Sequence, residues 1–295
     1  MNLILGEAFW DQFPDGTVLL GGSALNVAWH LEGLGNKTHF VTRVGDDELG
    51  HRVIYEMKQW GMDTHGVQID HSGRASGVIQ VLMDENKKPT FVSPGDIAFD
   101  HIEHTPSLRD VSSDEMLYHC TYILRSEDSR STVKKLKEKG HPVFMDLNLR
   151  DPYWNDQVLE EWVRDLEILK LSDEEFSKLS RTREANTQKQ VLWLQQWMVN
   201  KEIQNVLFTL GDQGAFWITH KEVFFTTSEK IQAVSTVGAG DAFCSGVMFS
   251  KNLGLSPHES VKKASRFASE ICMVTGATSH DKSFYEKCKK TIWGL

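Results

Sequence analysis

Thr236-Val237-Gly238-Ala239-Gly240-Asp241-Ala242-Phe243 is a glycine turn that leads into small and apolar residues, 242–249, suited to a buried helix. Residues 231–234, just before it, read as a short strand. Gly238 and Gly240 let the backbone turn tightly and approach a ligand without Cβ interference. The free N–H groups of a helix's first turn point outward and, aided by the helix dipole, bind anions. A phosphoryl group therefore suits this spot. Asp241 stands in that first turn. A carboxylate beside an anion-binding nest is a reasonable general base for a hydroxyl nucleophile. In isolation it also reads as a helix cap behind a glycine turn. Phe243 occupies the third glycine's place, so the segment is not G-x-G-x-x-G, and no G-x-x-x-x-G-K-[ST] occurs, which excludes a P-loop.

Upstream, strand-like and helix-like patterns alternate. Residues 116–124, 142–147, 168–171 and 205–210 read as strands; 129–139, 156–166 and 187–200 read as helices. This order predicts right-handed βαβ units and a mostly parallel sheet with helices on both faces. Trp193 and Trp197, four apart on the last helix, are expected to pack on the sheet. Two stretches break the alternation. Residues 77–83 and 90–92 flank a turn at Asp84-Glu85-Asn86-Lys87-Lys88-Pro89, a β-hairpin pattern. Residues 9–20 are extended around a turn at Pro14-Asp15-Gly16. Together they could form a small sheet acting as a lid, or remain ordinary surface hairpins.

Composition limits the function. The chain has 295 residues, 40% of them hydrophobic and 25% charged, and a net charge of −9. It is long enough to bury a core without disulfides or metal. The acidic balance argues against nucleic acid as a partner. No segment approaches the ~20 apolar residues of a membrane helix. The first sixteen residues lack the basic region of a signal peptide. Cys120, Cys244, Cys272 and Cys288 form no C-x-x-C pair, and the expectation is unpaired thiols in a reducing cytoplasm.

Three further clusters sit at predicted strand ends, where open α/β sheets bind ligands. They are Gly21-Gly22-Ser23-Ala24-Leu25-Asn26, with Asp11 upstream, then Asp146-Leu147-Asn148-Leu149-Arg150, and Thr209-Leu210-Gly211-Asp212-Gln213-Gly214. Asp11 could accept hydrogen bonds from two hydroxyls, and Asn26 offers an amide donor and acceptor.

In this order the clusters resemble the PfkB (ribokinase-like) family of carbohydrate kinases. Thr236 to Phe243 is similar to the family's C-terminal signature, D-T-x-G-A-G-D-x-F. The stretch from Gly21 to Gly35, with Asn26, Ala28, Leu31 and Leu34, is similar to the N-terminal one. Gly6-Glu7-Ala8, Arg43-Val44-Gly45-Asp46, and Asp146-x-Asn148-x-Arg150-Asp151-Pro152-x-Trp154 follow fructokinase-like members.

The resemblance implies an α/β, ribokinase-like three-layer sandwich with a central mostly parallel sheet, in one domain over 1–295. Its small β-sheet lid would come from about 8–22 and 76–95. It implies that Asp241 deprotonates a sugar hydroxyl and that the backbone of Gly238, Ala239 and Gly240 forms an anion hole. Asp11, Gly21, Gly22, Asn26 and Arg150 would contact sugar or phosphate. Thr209, Gly211, Gly214 and Asn148 would hold ATP, and Glu175 would organise Mg2+. The partners expected are a small sugar and ATP, with neither nucleic acid nor membrane, and a homodimer through the lid.

Three positions depart from the family pattern. Ser235 stands where an acidic residue helps hold a monovalent cation, which counts against potassium activation. Ser172 replaces the Asn of an Asn-x-x-Glu motif while Glu175 is kept. Tyr118-His119-Cys120-Thr121-Tyr122 replaces a Gly-Ser after the His, and Cys120 and Thr121 are expected to alter which sugar fits. Fructose is the first expected acceptor. Ketodeoxygluconate, ribose or a nucleoside, or a binding protein without catalysis, are the alternatives.

Overall fold

The computed structural model describes residues 1–83 and 89–295. Its strands are β1 (Asn2–Leu5), β2 (Phe9–Gln12), β3 (Val18–Gly21), β4 (Thr38–Gly45), β5 (Val67–Asp70), β6 (Val78–Met83) and β7 (Pro89–Val92). They continue with β8 (Met116–Cys120), β9 (Val143–Asp146), β10 (Leu166–Ser172), β11 (Ile203–Thr209), β12 (Ala215–Thr219) and β13 (Val223–Thr226). Nine of them form one sheet in the order β13-β12-β11-β10-β9-β8-β1-β4-β5. From β5 to β11 every pairing is parallel; β12 and β13 add an antiparallel edge.

Side chains on successive strand residues point to opposite faces. Leu3, Leu5, Val143, Met145, Leu169 and Leu171 enter one core. Ile4, Phe144 and Ile168 enter the other. The helices Glu127–Glu138, Asp156–Trp162 and Thr187–Asn200 bury their apolar stripes in the first core. Ser23–Gly33, Glu48–Trp60, Ala239–Asn252 and Pro257–Cys272 bury theirs in the second. The result is three layers, helix on sheet on helix, as expected. Trp193 and Trp197 stack on each other at 5.5 Å and pack against the first core.

A separate four-stranded sheet, ordered β3-β2-β6-β7, stands beside this body. It joins the two stretches that broke the alternation, through parallel pairing of β2 with β6. Of the turn expected at 84–89, residues 84–88 lie outside the described residues, and Pro89 opens the returning strand.

Several boundaries differ from expectation. Residues 231–234 form no strand; the Val234 and Ser235 amides instead donate to the Cys272 carbonyl. The apolar run 116–124 changes at Cys120 from strand to a 3-10 turn, Thr121–Arg125, because β8 reaches the sheet edge there. The helix expected over 156–166 stops at Trp162, and β10 starts earlier, at Leu166. The strands β1, β8, β9, β10 and β11 run parallel, so their carboxyl ends share one edge of the sheet. The candidate site residues gather at that edge.

Candidate active site

The helix Ala239–Asn252 begins at Gly238, whose φ of +80° is left-handed. A Cβ there would also lie 2.6 Å from the Ala277 carbonyl oxygen, so both conformation and space demand glycine. Gly240 is constrained differently: a Cβ on it would come 3.3 Å from the Lys170 Nζ. Ala239, Gly240 and Asp241 are half-buried, so the cradle and its carboxylate stay open to a ligand.

Asp241 lines a cleft between the main sheet and the small one. Asp11, Gly22, Asn26, Arg150 and Gly238 line the same cleft. Two donors from the helix Ser23–Gly33 hold the carboxylate. Ser23 Oγ donates to Oδ1 at 2.6 Å, and Asn26 Nδ2 donates to Oδ2 at 2.8 Å. Burial pushes the Asp241 pKa above the ordinary aspartate value; those two hydrogen bonds and the charges of Lys170 and Arg150 oppose it.

The paired glycines answer to their neighbours. A Cβ on Gly21 would lie 2.5 Å from Asp11 Oδ2, and one on Gly22, at φ +108°, 2.5 Å from the Glu7 carbonyl oxygen. Thus Asp11 folds over the Gly21 backbone at the cleft mouth. Burial raises its pKa to about 6, against the pull of Arg150.

Beside the cradle lies a buried ion pair. Lys170 Nζ on β10 sits 3.0 Å from Asp146 Oδ1 on β9, and both residues are more than nine-tenths buried. Burial works against the ammonium, yet Asp146 and Glu175 offset it and hold Lys170 protonated beyond the ordinary lysine range. Burial likewise raises Asp146 to about 6, with Lys170 opposing.

Glu175 accepts from the Leu149 amide at 2.9 Å and the Ser172 amide at 2.8 Å. It thereby ties the loops after β9 and β10 together. Burial raises its pKa, but Lys170 and the two amides prevail and leave it below the usual glutamate value. Ser172 caps the helix Asp173–Ser180 and closes a capping box with Glu175, which an Asn could equally do.

The residues expected at the nucleotide lie elsewhere along the same edge, outside the cleft lining. Asn148 has φ +33°, Thr209 ends β11, and Gly211 has φ +58° in the following turn. Gly214 is fixed by the fold: a Cβ would lie 2.0 Å from the Thr226 carbonyl oxygen.

One specificity expectation is corrected. Cys120 and Thr121 are buried behind the cleft, where Thr121 Oγ1 donates to the Leu147 carbonyl at 2.5 Å, and neither lines it. Tyr122 lines it instead, with Phe9, Ile79 and Tyr153. Its hydroxyl bonds Ser93 and Arg125, and Arg125 is anchored by Asp100 at 2.5 Å. Glu7, Ser23 and Tyr122 stand inside the quoted motifs without a role having been read for them, and Lys170 lies outside every motif. Lys170 had a legible signal: a charge inside an otherwise apolar parallel strand is rarely buried without a partner.

A parallel α/β body, a small covering sheet and a carboxylate at a glycine-lined helix start define a small-molecule phosphotransferase. Residues 11–283 match the pfkB family carbohydrate kinase profile, and the chain belongs to that family. It is 29% identical over 282 residues to a fructokinase of Vibrio alginolyticus, covering 90% of this chain and 89% of that one. Its fold is shared with the fructokinase of Vibrio cholerae bound to fructose, ADP and calcium (TM-score 0.80, 24% identity, 96% and 97% coverage). It is shared also with a 2-dehydro-3-deoxygluconokinase of Thermotoga maritima (TM-score 0.81, 17% identity, 97% and 98% coverage). The protein is a sugar kinase of the ribokinase-like fold.

Proposed function

We propose that this kinase transfers the γ-phosphoryl group of ATP to a primary hydroxyl of a ketose, with fructose the first acceptor to test. The observation that carries this reading is Asp241, a clamped carboxylate at the head of a helix and open to the cleft. Asp241 takes the proton of the sugar hydroxyl. The alkoxide oxygen attacks the γ-phosphorus, the bond to the β,γ-bridging oxygen breaks, and ADP leaves. The amides of Gly238 and Gly240 meet the charge on the transferred group, whereas the Ala239 amide, expected to join them, donates to the Thr236 carbonyl at 3.3 Å. Asp11, Asn26 and Arg150 orient the sugar, and the backbones of Gly21 and Gly22 let it approach. Asn148, Thr209, Gly211 and Gly214 belong to the strand-end loops offered to the nucleotide.

Magnesium bound with ATP would neutralise phosphate charge. An ionised Glu175 is a hard oxygen donor that suits such an ion. Its two oxygens already accept backbone amides, so it fits holding the ion's water shell. Ser235 accepts from the Val237 amide at 3.2 Å, and the reading includes no monovalent cation. The small sheet acts as a lid that excludes water from the transfer. Its edge strands β3 and β7 carry exposed Leu19 and Val92, and we include pairing of two chains through this sheet. Among the described residues no helix is long and apolar enough to cross a membrane; the reading places the enzyme in the cytoplasm, where ATP is supplied.

A second reading is an acceptor with an acidic or aromatic group, ketodeoxygluconate or a nucleoside. The cleft favours it by combining Arg150 with the rings of Phe9 and Tyr122. A coupled ADP-release screen decides. Fructose giving the highest kcat/KM supports the first reading. Turnover of ketodeoxygluconate or a riboside at least tenfold above fructose moves the assignment to the second. Saturable sugar binding with no ADP release contradicts both.

A further inference from the structure

The clamp on Asp241 has a second layer. Ser23 is the first residue of its helix, and its amide donates to Glu7 Oε1 at 3.1 Å. Glu7 is 4% exposed, and the Cys120 thiol donates toward its two carboxyl oxygens at 3.6 and 3.5 Å. A connected path therefore runs from the end of β8, through Glu7 and Ser23, to the carboxylate that faces the cleft. Phosphoryl transfer asks for an acceptor alcohol and a base; it does not by itself require a protein hydroxyl on that base. Yet at 2.6 Å the Ser23 hydrogen bond is short, as expected for an O–H donating to an ionised carboxylate.

We propose that Ser23 is a positioning residue for phosphoryl transfer: with its backbone amide held by Glu7, its hydroxyl fixes the Asp241 carboxylate at Oδ1 while Asn26 fixes it at Oδ2. Each oxygen then keeps one further lone pair, and the carboxylate meets the acceptor alcohol without first reorienting. This inference rests on Asp241 being the base. Burial of Asp241 favours the neutral acid, and the Ser23 hydrogen bond favours the carboxylate. The charged groups facing it are Lys170 and Asp146 from the sheet, Arg150 from the loop after β9, and Glu7 and Asp11 from the N-terminal segment. Tyr118 and Cys244 also face it, both kept neutral by burial.

The test compares Ser23→Ala, Ser23→Thr and Asp241→Asn with the full chain at saturating ATP and sugar. Ser23→Ala is expected to lower kcat on the order of tenfold, with the KM for ATP unchanged. Its acidic limb of the pH–rate profile should move to higher pH, because a bond that favours the carboxylate is gone. Ser23→Thr, which keeps the hydroxyl, should restore both. A Ser23→Ala enzyme with normal kcat and an unmoved acidic limb, while Asp241→Asn is inactive, overturns the positioning role and leaves the base in place. An active Asp241→Asn enzyme removes the base and this inference with it. Thr and Ala variants impaired alike would show that the hydroxyl is not what matters. Phosphate on Ser23 after incubation with ATP alone would also overturn it, since the hydroxyl would then be an acceptor rather than a fixed donor.

Discussion

At Asp241, burial favours the neutral acid, while two donated hydrogen bonds and two nearby cations favour the carboxylate; burial prevails and the pKa rises. Only the carboxylate can take a proton, so rate is lost as pH falls through the raised value. Asp11, raised to about 6, loses its charge in the same direction, and in the proposed reading its hold on sugar hydroxyls weakens with it. We therefore predict that kcat/KM declines on the acid side starting near pH 6, with the KM for sugar rising as well. A profile flat down to the ordinary aspartate value of 3.8 would contradict this. Tyr122 offers a second residue-scale prediction. Tyr122→Ser removes a ring from the cleft wall, and the KM for sugar should rise at least roughly tenfold while the KM for ATP stays put. Equal changes in both KM values would show general damage to the fold instead. Asp241, Asn26 and Arg150 were legible because motif spacing places them. Ser23 and Tyr122 were not, since their roles come from what helix and turn geometry bring beside them.

Among the elements, β9 and β10 share a buried ion pair. Their Asp146–Lys170 pair is buried between helix and sheet, next to the cradle backbone. Removing one member leaves an uncompensated buried charge, which typically costs about 3–5 kcal/mol. Lys170→Met should therefore lower unfolding free energy by about that amount in urea titrations. A loss under about 1 kcal/mol would show that the pair contributes little. The sequence pattern revealed most elements through apolar periodicity, as in Thr187–Asn200, which matches expectation to the residue. It failed at residues 231–234, where an extended, apolar-looking segment has no neighbouring strand to pair with and donates to Cys272 instead. It overran at residues 121–124, because hydrophobicity continues past the sheet edge into a buried turn.

For the molecule as a whole, the parallel strands gather their carboxyl ends on one edge, and the small sheet covers part of that edge. That placement brings three separately weak motifs into one cleft and sets the fourth, 209–214, further along the same edge, which explains why their order along the chain was more telling than any one of them. The lid's edge strands β3 and β7 leave backbone groups for pairing, and sedimentation at micromolar concentration is expected to give twice the chain mass. Monomer alone would contradict the pairing. The claim on which the rest stands is that one carboxylate performs the proton transfer. Its most direct test is the rate of ADP release by Asp241→Asn at saturating ATP and fructose, with nucleotide binding checked in the same preparation. The account predicts a loss of at least roughly a hundredfold in kcat with ATP binding retained. A variant that turns over at close to the parent rate would contradict it.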